Sequence, residues 1–292
     1  MPAKILVKND AHQGASVELG FMSRTLAQIS LPHSELRNNY FERTSGLMTL
    51  SVVANPKKGL PYGSYPRLLL AWLCTEAVRT KSPKIHLGSN QAEFMRKLAL
   101  NRDGRTIAAL KEQTNRLVSS LFTVEFSEKE LKGFRNLLLA NTGFELWRPQ
   151  TGEWETHLQL TTDFFNDIVQ NPVPFDFDVL NALRKSPMAM DVYTWLVYRT
   201  YSIYVTGNRP VKISWADLQA QFGANYGALP NESTDFLLTA QDLQKVEQQG
   251  LINFRYKFLQ SLQKIKQHYP ELEQVLSADS QFLTVGGAKL IK

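Results

Sequence analysis

Helix, short strand, helix, tight polar turn, helix, strand: residues 59–126 read in that order, and residues 187–285 repeat it more loosely. In both repeats the last helix sets an apolar stripe against a polar, basic far side. Together these observations predict an α+β protein of two tandem winged-helix (helix-turn-helix) units, a design that lays one helix of each unit in a DNA groove.

Residues 1–46 carry weak patterns. Leu26, Ile29 and Leu31 precede Pro32 amid irregular polar flanks, so the segment reads as an N-terminal arm or loosely docked lead-in. The first unit is expected over residues 47–170. It opens with the β-branched run Leu47–Ala54, a strand. Ser64 is the candidate N-cap of the first long helix, with Pro66 in its first turn and Leu68, Leu69, Trp72, Leu73 and Ala77 on its apolar face. Ser82-Pro83 breaks that helix, Lys84–Leu87 is an edge strand, and Gly88 turns the chain into a helix capped by Ser89. There Phe94, Met95 and Leu98 face inward while Arg96 and Lys97 stay outside. Asn101–Gly104 is the turn into a third helix, Arg105–Ser120.

That third helix clusters Ile107, Leu110, Thr114, Leu117, Val118 and Leu121 on one side at 100° per residue. Its other side carries Arg105, Ala108, Glu112, Arg116 and Ser119, small and polar enough to approach base edges. The candidate DNA contacts here are Arg102, Arg105, Thr106 and Arg116. The solvated face of an ordinary globular helix fits the same pattern. Short strands at Leu121–Phe126, Leu137–Ala140, Gly143–Trp147 and Glu155–Leu160, with turns at Lys132-Gly133 and Thr151-Gly152, suggest an enlarged wing. A helix at Thr161–Val169 and a proline-punctuated linker at 171–176 complete the unit.

The second unit is expected over 177–292. A short helix at Phe177–Arg184 leads to Ser186-Pro187, where a long helix begins and runs to Tyr204. Val211–Ser214 and Trp215–Phe222 repeat the motif of a lysine-bearing edge strand leading into a serine-capped helix. The third helix, Leu251–Tyr269, has Leu251, Phe254, Phe258, Leu262, Ile265 and Tyr269 in one narrow stripe. Its far side presents Asn253, Tyr256, Lys257, Gln260, Gln263, Lys264 and Gln267, with Arg255 and Lys266 flanking. Four basic residues and no acidic one lie between Leu251 and Tyr269. A merely solvated helix usually mixes signs, because i,i+4 ion pairs stabilise it. Hydrogen-bonding groups suited to bases beside cations suited to phosphates point to DNA. The candidate contacts are Asn253, Arg255, Tyr256, Lys257, Gln260, Lys264 and Gln267.

Pro270 ends the helix, and strands at Leu272–Leu276 and Gln281–Val285 form a small wing. The segment between Phe222 and Leu251 is a long insert bearing Glu232, Asp235, Asp242 and Glu247 against Lys245. Its acids would repel phosphates, so it is expected to point away from a duplex, with a short helix at Asp242–Gln249.

Composition sets wider bounds. The chain has 292 residues, 43% of them hydrophobic, with Lys and Arg outnumbering acids 33 to 27 for a net charge of +6. A mild basic excess favours a polyanionic partner without naming it. The single cysteine, Cys74, lies in an apolar run and reads as a buried small hydrophobe rather than a reactive thiol. No apolar run reaches the roughly 18 residues that cross a bilayer, and MPAKILVKND lacks the long apolar core of a secretory signal. A cytosolic protein is expected. No P-loop pattern is present, and the five histidines are scattered without metal spacing. Asp176 and Asp178 could be named a carboxylate pair, but alternation in an extended segment or capping of the helix at Phe177 accounts for them better. No enzymatic activity, cofactor or metal is expected.

The blocks GLPYGSYPRLLLAWLCTEAVRTKSP at 59–83 and IHLGSNQAEFMRKLAL at 85–100 resemble the plasmid-encoded RepA replication initiators of bacterial broad-host-range plasmids. GFMSRTLAQISLPHS at 20–34, QFGANYG at 221–227 and FRYKFLQSLQKI at 254–265 extend the resemblance to roughly residues 20–285. It implies a protein that binds double-stranded DNA at direct repeats (iterons) of a plasmid origin and controls copy number there. It also implies opening of adjacent DNA, recruitment of the host initiator and replicative helicase, and self-association in some members, with no enzymatic step. A winged-helix transcriptional regulator acting on its own promoter would use the same domains. A nicking or primase-type enzyme would need a metal-ligand cluster that the sequence does not show.

Overall fold

The computed structural model describes residues 18–128, 131–140, 154, 156–223 and 240–291. In chain order the elements are β1 (Leu19–Ser23), a 3-10 turn (Leu26–Gln28), β2 (Tyr40–Ser45), β3 (Met48–Val53), α1 (Ser64–Thr80), β4 (Lys84–His86), α2 (Gln91–Lys97), α3 (Gly104–Val118), β5 (Leu121–Glu128), β6 (Leu131–Leu137) and β7 (His157–Gln159). They continue with α4 (Thr162–Gln170), β8 (Pro172–Asp176), α5 (Phe177–Ala182), α6 (Pro187–Val205), β9 (Val211–Ser214), α7 (Trp215–Phe222), α8 (Ala240–Lys266), α9 (Leu272–Val275), β10 (Leu276–Ala278) and β11 (Phe282–Val285). The chain is α+β, as expected.

The expected arm and the expected linker are partners. β1, from within 1–46, pairs antiparallel with β8, from within 171–176, with Leu19 opposite Asp176 and Ser23 opposite Pro172. Prolines at alternate positions put both missing N–H groups on one edge of β8, so Pro172 and Pro174 do not prevent pairing along the other. Val173 and Phe175 are buried between them. Gly20 is needed opposite, because a Cβ there would lie 2.5 Å from the Phe175 ring. Asp176 then caps α5, its Oδ1 accepting from the N–H groups of Asp178 and Val179.

Two of the expected caps shift by a residue. α1 starts after Gly63, whose φ of 76° suits glycine, and the Ser64 hydroxyl instead donates to the Arg184 carbonyl. Asn90, rather than Ser89, caps α2 by accepting from Glu93 N–H at 3.0 Å, while the Glu93 carboxylate accepts from Ser89 N–H at 2.8 Å. The arrangement is a variant of the capping box, with asparagine in the serine position and the glutamate reaching back one residue beyond the cap. Ser214 caps α7 as predicted, accepting from Asp217 N–H.

The expected wing of the first unit divides. β5 and β6 form a hairpin that joins β3 and β2 in a four-stranded sheet of order β2-β3-β5-β6. β6 runs through the predicted Lys132-Gly133 turn, because those residues sit in register with Ser127 and Phe126. β7 leaves the wing and pairs with β4, Ile85 opposite Leu158. The strand predicted at Gly143–Trp147 and the turn at Thr151-Gly152 lie outside the described residues. In the second unit β9 pairs with β11, which pairs with β10. The predicted strand at Leu272–Leu276 is mostly α9, with Leu272 buried and only Leu276 entering β10.

Between the helices that open each repeat, α1 and α6, lies a buried ion pair. Arg67 Nε and Nη2 donate to Asp191 Oδ1 and Oδ2 at 2.7 and 2.6 Å. The remaining guanidinium protons go to the carbonyls of Leu31, Pro32 and Gly63, at 2.7, 3.2 and 2.6 Å. The lead-in is thus fastened to both repeats. Gln221 of α7 donates to the Gln28 carbonyl at 2.7 Å, and Thr25 donates to Asp167 of α4 at 2.9 Å. Arg135 of β6 pairs with the same carboxylate.

His33 Nε2 lies 3.1 Å from Asp191 Oδ2. Burial lowers the His33 pKa from its ordinary value of 6.5 against the raising effect of the Asp191 hydrogen bond, with nearby Arg67 lowering it further. The unfolded chain therefore takes up this proton more readily than the folded one. Stability from this site is present above about pH 6.5 and is lost as pH falls towards the folded-state value. This site should leave urea midpoints unchanged above about pH 7 and lower them as pH falls below about 6.5, and His33→Asn should remove that component of the decline.

Candidate nucleic-acid interface

Each repeat positions its last helix by burying one side of it. In the first, Leu110, Thr114, Leu117 and Val118 seat α3 against α1. In the second, Phe258 of α8 lies within 5.6–6.5 Å, centroid to centroid, of Trp195, Trp215, Phe222 and Phe254. The edge-to-face and tilted ring geometries of that cluster fix α8 in rotation as well as in depth. Its opposite side is held outward.

On α3 the exposed end is the N-terminal one. Arg102 and Arg105 are exposed, and Thr106 is half-buried. Asp103 caps the helix, its carboxylate accepting from Thr106 N–H at 2.9 Å and from the Thr106 hydroxyl at 2.7 Å. These bonds hold the Asp103 pKa below the usual carboxylate range. The Thr106 hydroxyl proton is therefore already committed, leaving its oxygen as an acceptor only.

Arg116, unlike the other candidates on α3, is engaged within the chain. It donates from Nη2 to Glu35 at 2.7 Å and Glu112 at 2.6 Å, and from Nη1 to the Leu60 carbonyl at 3.3 Å, with its side chain 13% exposed. It also covers the Tyr62 ring, 5.1 Å from the centroid. With Gln113, which accepts from Tyr62 N–H at 2.8 Å, it clamps the 59–63 loop. Gly59 lies against this clamp, with φ of 80° and Arg116 Nη1 2.9 Å from where a Cβ would be. The sequence held the signal, since Glu112 and Arg116 stand at i,i+4 with the acid N-terminal.

α8 is longer than predicted. It runs unbroken from Ala240, so Asp242–Gln249 is its first half rather than a separate helix, and Gly250 is buried within it. Glu232 and Asp235 lie outside the described residues. Acids near the start and lysines near the end match the helix dipole, which explains Lys264 and Lys266 in the last turn without DNA. Lys257, in mid-helix, has no such explanation.

Asn253, Tyr256, Lys257, Gln260, Lys264 and Gln267 are all exposed. Among the described residues neither Lys257 nor Lys264 has an acidic partner, whereas Lys266 pairs with Glu273 at 2.7 Å. Asn253 accepts from Gln249 at 3.0 Å. Arg255 is half-buried on the flank, its guanidinium 5.4 Å from the centroid of the Trp215 ring. That position suits backbone contact beside the β10–β11 turn better than reach to a base edge.

The family model described as plasmid encoded RepA protein matches residues 60–217, more than half of the 292 residues. The chain belongs to the plasmid-encoded RepA family. The matched region of this RepA-family chain runs from the GLPYGSYPR block into the first turn of α7 and holds the α1–α6 ion pair and all of α3; α8 lies beyond it. Two crystal structures of domains 2 and 3 of RctB are similar in outline. One, a selenomethionine derivative, has 10% identity and a TM-score of 0.47, covering 92% of this chain and 100% of that one. The other has 13% identity and a TM-score of 0.40, covering 88% and 84%. No curated protein matches.

The histidines are less scattered than the sequence suggests. His86 and His157 face each other across β4 and β7 with ring centroids 4.9 Å apart. Among the described residues no group of three His, Cys, Asp or Glu side chains forms a metal set. Cys74 is fully buried, and burial pushes its thiol up to about 12, so almost no thiolate exists at neutral pH. No helix among the described residues is long and apolar enough to cross a membrane.

Proposed function

We propose that this protein is a plasmid replication initiator that binds direct repeats (iterons) at its origin through two winged-helix units, with α3 and α8 as the DNA-facing helices. The observation that carries the reading is the repeated order of helix, strand, helix, helix and strand pair, broken in the second copy only by the four-residue α9, with an exposed polar and cationic side on α3 and α8. Membership of the RepA family supports DNA as the partner. On this reading Arg102, Arg105 and Thr106 approach the duplex from α3, and Asn253, Tyr256, Lys257, Gln260, Lys264 and Gln267 approach it from α8. Arg255 holds the backbone at the flank. Its role is binding without a catalytic step, on plasmid DNA in the bacterial cytoplasm, followed by origin opening and recruitment of host initiator and helicase.

Protection mapping on DNA flanking the gene tests this. Protection of a run of direct repeats supports the initiator, and protection of a single inverted repeat at a promoter supports a regulator instead. Arg105→Ala should relax sequence preference by about 1–3 kcal/mol at the base pairs it faces, read as a narrower gap between specific and competitor DNA. Full discrimination by that variant would move base readout away from α3.

A further inference from the structure

Ile252 and Tyr256 stand one turn apart on the outward side of α8, 60% and 61% exposed. Around them on that side lie the polar or cationic Asn253, Lys257, Gln260 and Gln263, with half-buried Leu259 one turn beyond Tyr256. Helix propensity gives isoleucine no reason to be at that position, since its branched Cβ loses rotamer freedom in a helix. Packing gives none either, because at 100° per residue Ile252 and Tyr256 fall well away from the buried Phe254–Phe258 stripe.

The neighbourhood decides what could cover them. A protein partner would have to desolvate Lys257 as well, and the cores of protein interfaces are depleted in lysine. A polyanion would pair with that lysine instead. The DNA major groove offers both kinds of contact at once, phosphates at its rims and one apolar group on its floor, the C5-methyl of thymine.

Building on the DNA-binding reading above, we propose that Ile252 reads thymine methyl groups in the major groove, with Tyr256 shielding the contact from water. Ile252 is thus a specificity residue of α8, complementing the amides of Asn253 and Gln260. The contact is apolar and makes no hydrogen bond.

The test uses the full-length chain and the duplex that it protects or that selection from random DNA enriches. Binding is measured to that duplex and to the same duplex with every thymine replaced by deoxyuridine, which lacks only the methyl. The wild type should bind the uracil duplex about four-fold more weakly for each methyl contacted. Ile252→Ala should lose a similar factor on the thymine duplex and bind both duplexes alike. The exposed position makes loss of folding an unsuitable explanation, and a circular dichroism melt matching wild type confirms that. Equal binding of both duplexes by wild type overturns the inference while leaving DNA binding intact. So does an Ile252→Ala variant that keeps the wild-type penalty for uracil. Failure to bind any duplex above random sequence would remove the DNA reading itself, and this inference with it.

Discussion

Asp191→Ala should lower stability by about 3–5 kcal/mol, because it strands the Arg67 guanidinium inside the protein with carbonyl acceptors but no countercharge. The geometry explains why the loss is large. All five guanidinium protons are used, two on Asp191 and three on the carbonyls of Leu31, Pro32 and Gly63. Arg67→Met should cost a similar amount for the opposite reason, leaving a buried carboxylate without its cation and three carbonyls each short of a donor, although Pro32 keeps the Gly63 N–H. The double variant should recover part of the loss and not all of it, since the three carbonyls still lack the guanidinium donors. Chemical denaturation of the four proteins gives the coupling energy directly. Additive losses would mean that the pair does not hold the α1–α6 junction.

Lys257→Ala combined with Lys264→Ala should reduce the slope of log K against log salt by about 1.8 in magnitude, 0.9 for each phosphate contact removed. At about 0.1 M salt that difference amounts to roughly 60-fold in affinity. The loss should be uniform across specific and random DNA, since phosphate contacts carry no sequence information. Both side chains are exposed and have no acidic partner among the described residues, so stability should change by less than about 0.5 kcal/mol. An unchanged salt slope would take α8 out of the interface.

The local patterns were legible in the sequence. The bounds of α1, α3 and α6 follow from apolar spacing and from Pro83, Gly104 and Pro187, because those signals are local. The pairing of Leu19–Ser23 with Pro172–Asp176 was not, since it joins segments some 150 residues apart and a Pro-x-Pro run resembles a linker. The Arg67–Asp191 pair was hidden for the same reason, its partners standing 124 residues apart. Arg116 is a different case. Its basic character suggested DNA, but its acid at i−4 indicated an intrachain role. The continuity of α8 through Gly250 ran against glycine's poor helix propensity, and only the burial of that residue shows what offsets it.

On the proposed reading α3 and α8 lie on one duplex together. Cys74 is buried and unreactive, so a single cysteine introduced as Asn101→Cys or Gln263→Cys, both exposed positions, can carry a tethered DNA-cleaving iron chelate. Cleavage of the protected DNA should centre at two places about 10 bp apart, one for each variant and each repeated at every direct repeat. Cleavage from only one of the two positions, or from neither, would contradict the account.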